Sequence, residues 1–248
     1  MTAQLRAELL KQRSTRTALG LFASMLGLVL VAVLLHGFGL SAENLARASD
    51  QHMVLGRGEF LGALFAALLG AMTMTSEIRH GTIRPTFLFA PWRGRVVVAK
   101  VWVSALVGAG FGLAASALAA GVGTAALAAR GLDVQLDGSD YALLVAGGTA
   151  ASALWAAIGV GLGAVVRNQV PTLIGICAWL LFVEGLLVGD VAGVGDVGRF
   201  APGALGMAIS GQDPDTLVAP ELGLVLLSAY AGASALAGLV ATTRRDVL

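Results

Sequence analysis

Residues 18–38 read ALGLFASMLGLVLVAVLLHGF, an apolar run without a charged side chain. At 1.5 Å per residue such a helix covers about 30 Å, the thickness of a bilayer's hydrocarbon core. The run predicts a membrane span, and the rest of the chain repeats the pattern. Phe60–Ser76 is shorter and is bounded by Glu59 and Glu77. Val96–Ala129 is interrupted only by Lys100 and is long enough to tilt or to project beyond the bilayer. Tyr141–Val166, Pro171–Val188 and Leu222–Thr243 complete a set of six. The predicted class is an all-α integral membrane protein with one transmembrane domain over residues 1–248.

The composition agrees with that prediction. Hydrophobic residues make up 57% of the 248 and charged residues 12%, against about 45–50% and 25% in soluble domains. These values exclude an ordinary soluble enzyme, a disordered chain and a nucleic-acid binder. The net charge is only +1, but its distribution sets a topology. Four basic residues precede the first span. Arg79, Arg84, Arg93, Arg95 and Lys100 fall between or just inside the second and third, Arg167 between the fourth and fifth, and Arg244 and Arg245 after the sixth. That places 12 of the 16 basic residues on one side, and Arg47, Arg57, Arg130 and Arg199 on the other. Basic residues favour the cytoplasmic face, so both termini are predicted to be cytoplasmic. Most acidic residues, Glu59 among them, fall in the opposite segments. The first span is longer than a signal-peptide core and lacks a clear cleavage site after it, so it is expected to remain.

Before the first span, Leu5 and Leu9 share a helical face flanked by Gln4, Arg6, Glu8 and Lys11. Residues 1–17 therefore suggest an amphipathic helix lying on the membrane surface; a solvated basic tail is the plainer alternative. Residues 77–100 read EIRHGTIRPTFLFAPWRGRVVVAK. Ser76 can cap a helix and Glu77 suits its first turn. Gly81 permits a sharp turn, and Pro85 and Pro91 limit helix continuation. Thr86–Ala90 then form a short apolar patch with a basic rim, suited either to docking a soluble partner or to anchoring Phe87 and Phe89 among headgroups.

The order Glu77, Gly81-Thr82, Pro91, Arg93, Lys100, together with the opening AELLKQR carrying Glu8 and Lys11, resembles type-2 ABC exporter permeases. The six-span layout matches that family over essentially the whole chain. The resemblance implies a bacterial plasma-membrane subunit with several partners. Two copies of an ABC ATPase would bind ATP and magnesium, and a second permease copy, taken as identical, would complete the assembly among membrane lipids. It implies a coupling helix within 77–95 seated in the ATPase, with Arg79, His80, Arg84, Pro85, Phe87 and Phe89 in the same loop. His80 and the Arg79/Arg84 pair are not typical of the family. Arg167 would provide a smaller second contact; a tight turn with a snorkelling side chain is the alternative. Residues 1–17 would be the elbow helix. Residues 189–220, including the apolar stretch 200–209 broken by Pro202, Gly203 and Gly206, would re-enter the membrane as short helices.

Glu184 is the one acid placed well inside a predicted span and is a candidate for the transport path; proximity to the interface is the alternative. His36 reads as an interfacial polar residue rather than a proton relay. Gly193–Gly198 matches a dinucleotide fingerprint by spacing but lacks the strand–helix context. The paired glycines Gly108/Gly112 and Gly159/Gly163 allow close helix packing within the chain. The sequence has no GxxxxGK[ST] loop, HExxH or GxSxG, so neither catalysis, a metal site nor a cofactor is expected on this chain. The expected function is export of a hydrophobic or amphiphilic drug, lipid or peptide. A non-transporting assembly or sensor subunit and a stand-alone secondary carrier remain as alternatives.

Overall fold

The computed structural model describes residues 2–83, 85–86, 92–188 and 195–244. Among them the chain is helical, with no strand, and six helices are long and apolar enough to cross a membrane. Helix α1 spans Thr2–Ser14, α2 Arg16–Gly39, α3 Ala48–Leu55 and α4 Arg57–Arg79. Helix α5 spans Arg93–Ala129 and α6 Gly138–Val166. Helix α7, Gln169–Leu187, widens to a π-helical turn over Trp179–Val183. Helix α8 is the short Pro202–Ile209, and α9 is Pro220–Arg244. All six predicted spans are helical; five of the helices outrun their apolar stretch by a few residues at the ends, while α7 starts two residues early and stops one short. The ends extend because polar termini such as Arg57 and Arg93 continue the helical hydrogen bonding beyond the apolar stretch.

Helices α4, α5 and α6 form the centre, where half or more of each apolar window is buried. The approach is close because the contact positions are glycine. A Cβ at Gly70 would strike the Ala156 backbone, and one at Gly159 would lie within 3.0 Å of Ala71 N. Gly108 and Gly112 meet Ser152 and Gly148 in the same way. The GxxxG spacings therefore serve packing within the chain, as expected from sequence. Helices α2, α7 and α9 surround this centre and bury only about a fifth of their windows. They present Leu28, Val31, Leu35, Ile174, Phe182, Val225 and Leu236 outward. Apolar exposure on this scale suits lipid contact rather than water.

Two features of the far end, opposite α1, were not predicted. Residues 48–55, read as part of a polar connection, form α3. Its buried Gln51 donates to Leu45 O and Asp133 O and accepts from Gln135 N, tying the α5–α6 connection down. Asp137 caps α6, accepting from Ser139 N and Asp140 N, while Asp140 Oδ2 accepts from Asp137 N.

Candidate functional site

Helix α1 forms as expected, and the side it turns to the rest of the protein is polar. Leu5 and Leu9 are half-buried, while Glu8 and Gln12, one turn apart on the same side, are buried. Glu8 is thus an inward side chain rather than a flanking polar one. Its burial is explained by Lys100, which lies in the second turn of α5 and is 1% exposed. Lys100 Nζ donates to Glu8 Oε2 and to Glu77 Oε1, both at 2.8 Å, and to Thr73 O at 3.2 Å, which uses all three of its hydrogens. Lys11 Nζ donates to Glu8 Oε1 and Glu77 Oε1 at 2.9 Å. One turn along α1, Gln12 Nε2 donates to Ser104 Oγ at 3.0 Å.

Two carboxylates and two ammonium groups therefore form a closed, neutral ring between α1, the end of α4 and the start of α5. Ion pairs taken out of water hold only when every charge is matched, and the ring meets that condition. Burial alone would raise the Glu8 carboxyl pKa, but Lys100 and Lys11 outweigh it and hold it below its ordinary value. Burial likewise works against the charge on Lys11, yet its bonds to Glu8 and Glu77 hold its pKa above the ordinary lysine value. Glu77 Oε2 is buried and finds no hydrogen-bond partner among the described residues. Beside the ring lies a cavity of about 620 Å³, lined by Gln12, Thr15, Met72, Thr73, Arg79, Thr86 and the ring itself.

The loop after α4 begins from this ring. Ser76 and Glu77 do not open a helix as predicted; they lie in the last turn of α4, where the Ser76 hydroxyl bonds back to Met72 O. His80 Nδ1 donates to Ser76 O, and Thr82 Oγ1 donates to Glu77 O. Gly81 takes the left-handed conformation (φ 68°), a turn that a side chain would strain. Backbone at 83, 85 and 86 is helical, Pro85 included. Arg84, Phe87, Phe89 and Pro91, the heart of the predicted docking patch, lie outside the described residues. Arg93 opens α5, and Arg95 stacks on the exposed Trp92 ring at 4.9 Å. Arg79 Nη1 donates to Gln169 Oε1 at 3.2 Å. Arg167 adopts a left-handed turn (φ 58°) and donates to Ala241 O at 2.7 Å, joining the α6–α7 turn to α9.

A second polar cluster lies at the far end. Glu184, predicted to be a lone acid in a span, is 6% exposed; its Oε1 accepts from Gly203 N and Trp179 Nε1, both at 2.7 Å. It faces α8. Glu59, assigned by sequence to a polar connection, is instead 3% exposed inside the first turn of α4. Gln212 Nε2 donates to Glu59 Oε2 at 3.4 Å and to Ser210 Oγ at 3.0 Å. His36 accepts at Nε2 from Arg57 (3.2 Å), since its Nδ1 donates to Ala32 O. Among the described residues no group of three or more His, Cys, Asp or Glu side chains could hold a metal ion. Most of the span 193–198 that mimics a nucleotide motif consists of a tight helical turn beginning at Gly195; its first two residues lie outside the described set.

No family model matches this chain, and no curated protein matches it.

Proposed function

We propose that this chain is the membrane-spanning permease subunit of an ATP-driven exporter of the type-2 ABC class. One observation carries the reading. The four residues on which the sequence resembles that family at its two cytoplasmic landmarks, Glu8 and Lys11 in α1 and Glu77 and Lys100 around the loop, meet in a single ring, buried at Lys100 and Glu8 and open to solvent at Lys11. They are separated by up to 92 residues in the chain, so local structure alone does not bring them together.

The ring suggests how the subunit works. It joins α1, the end of α4 and the start of α5 into one stiff piece, and the 77–95 loop hangs from that piece. An ATPase seated on the loop would move three helix ends at once, and α4 and α5 would carry the motion into the packed centre. The chain performs no covalent step. Both termini and the loop lie on the cytoplasmic side, which follows the basic-residue distribution. Helix α8 then belongs to the extracytoplasmic side as a re-entrant element. Two permease copies and two ATPase copies form the working unit, with ATP and magnesium held by the ATPase. The cargo is hydrophobic or amphiphilic, in keeping with the apolar spans.

Phe87→Ala with Phe89→Ala tests the docking site. Truncating a buried aromatic anchor costs about 2 kcal/mol or more, so the double variant should insert normally but lose the ATPase on purification. Retention of a fully coupled ATPase would place the docking site elsewhere.

A further inference from the structure

Helix α8 packs against α4, α6 and α9, and two membrane-helix carboxylates abut it where it has no side chains. Gly203 and Gly206 lie one turn apart on the same helical face. A Cβ at Gly203 would land on the Glu184 carboxylate, and one at Gly206 would come within 2.5 Å of Glu59 Oε1. Glu184 receives the Gly203 N–H at the start of α8. Glu59 is reached from its other end through Gln212, whose amide also bonds Ser210 Oγ; Ser210 in turn donates to Gly206 O at 2.9 Å. Gln212 itself fills the space over Gly56, at the α3–α4 junction. Neither carboxylate forms an ion pair among the described residues. Burying two carboxylates without cationic partners is costly, and here both are spent on one eight-residue helix.

We infer that Glu184 and Glu59 are positioning residues that hold α8 closed against the bundle, Glu184 at its N-terminal end and Glu59, through Gln212, at its C-terminal end. Release of these bonds is the step that frees α8. The two glycines are part of the device, because only they let the carboxylates reach the helix. The holding geometry stands on the contacts alone; its meaning as closure of the extracytoplasmic side rests on the exporter reading.

The test uses purified full-length protein in lipid nanodiscs, where a water-soluble maleimide reaches both faces and no ATPase or transport is needed. With Cys177 replaced by alanine, Ala204→Cys places a reporter thiol on the buried side of α8 (Ala204 is 1% exposed). Ala115→Cys, in the buried centre of α5, reports general loosening. Losing two hydrogen bonds to a buried acceptor should speed labelling at 204 by about tenfold or more in Glu184→Leu, with position 115 unchanged. Glu184→Gln keeps an acceptor oxygen and should stay within about threefold of the parent. Gly203→Ala keeps the carboxyl group but pushes it off the α8 N-terminus, and should match Glu184→Leu; it decides the matter if the leucine variant loosens the whole bundle. Unchanged labelling at 204 in Gly203→Ala, or Glu184→Gln labelling as fast as Glu184→Leu, overturns the inference. Failure of any ATPase to associate would remove the exporter reading without touching this result.

Discussion

Lys100→Met would open the ring at its buried, best-matched point. The Lys100 ammonium makes three bonds and is 1% exposed, so water cannot replace it. Its loss leaves Glu8 and Glu77 sharing one cation, Lys11, whose side chain is 46% exposed. Removing one member of a buried ion pair costs about 3–5 kcal/mol. Lys11 still holds both carboxylates at Oε1, and one can take up a proton, which brings the expectation to about 3 kcal/mol. That is roughly a hundredfold in the folding equilibrium. The assay is unfolding in mixed micelles of rising denaturing-detergent fraction, followed by tryptophan fluorescence. Adding Glu8→Gln and Glu77→Gln to Lys100→Met removes the unmatched charges and should recover at least half of the loss. A double-variant cycle of Lys100→Met with Glu77→Gln should show non-additivity of about 1 kcal/mol or more. A cost for Lys100→Met below about 0.5 kcal/mol, the range of ordinary surface substitutions, or strictly additive costs, would refute the ring as a cooperative unit.

Docking of α1 should depend on pH at both extremes. The Glu8 pKa is lowered, so its contribution is present above 4.5 and is lost as pH falls through its folded value. The Lys11 pKa is raised, so its contribution is complete below 10.5 and is lost as pH rises through its folded value. Proteolytic accessibility of residues 2–14 should therefore be low between those limits and rise beyond each; a flat profile would contradict the assignment. Gly159→Val sets a branched side chain against the Ala67–Ala71 backbone and should cost about 2–3 kcal/mol in the same unfolding assay, whereas Gly175→Val, facing open space, should cost far less. A topology reporter fused after Leu248 should be active in the cytoplasm and one inserted near Gly138 active outside; both on one side would break the six-span arrangement.

The spans were legible because length and hydropathy alone decide whether a helix can cross a bilayer. A short helix near 200–209 was expected from resemblance alone; Pro202, read as a break in the apolar stretch, instead occupies the first position of α8, where its missing N–H costs nothing. What the sequence concealed were buried charges. Amphipathic patterning assigns Glu8 to the surface of α1, and only Lys100, far along the chain, makes its burial tolerable. Glu59 follows Arg57 and Gly58, so it reads as the polar edge of a span; its partner Gln212 is 153 residues away. Ser76 looked like a cap because Ser-Glu suits a helix start, yet the hydroxyl can equally bond back to the preceding turn, and here it does. Helix α3 was hidden because its residues are mixed in polarity, and its place is fixed by Gln51 reaching the α5–α6 connection.

The docking of an ATPase on the 77–95 loop is tested most directly by site-specific photocrosslinking in native membranes, followed by purification and mass identification of the partner. A crosslinker in place of Thr86, a half-buried residue of the 77–95 segment that borders the cavity beside the ring, should capture a soluble subunit carrying a P-loop, present in equal copy number with this chain. One in place of Met53, partly exposed at the far end, should not. A chain that purifies without such a subunit, or that captures it from position 53 and not from 86, would contradict the account.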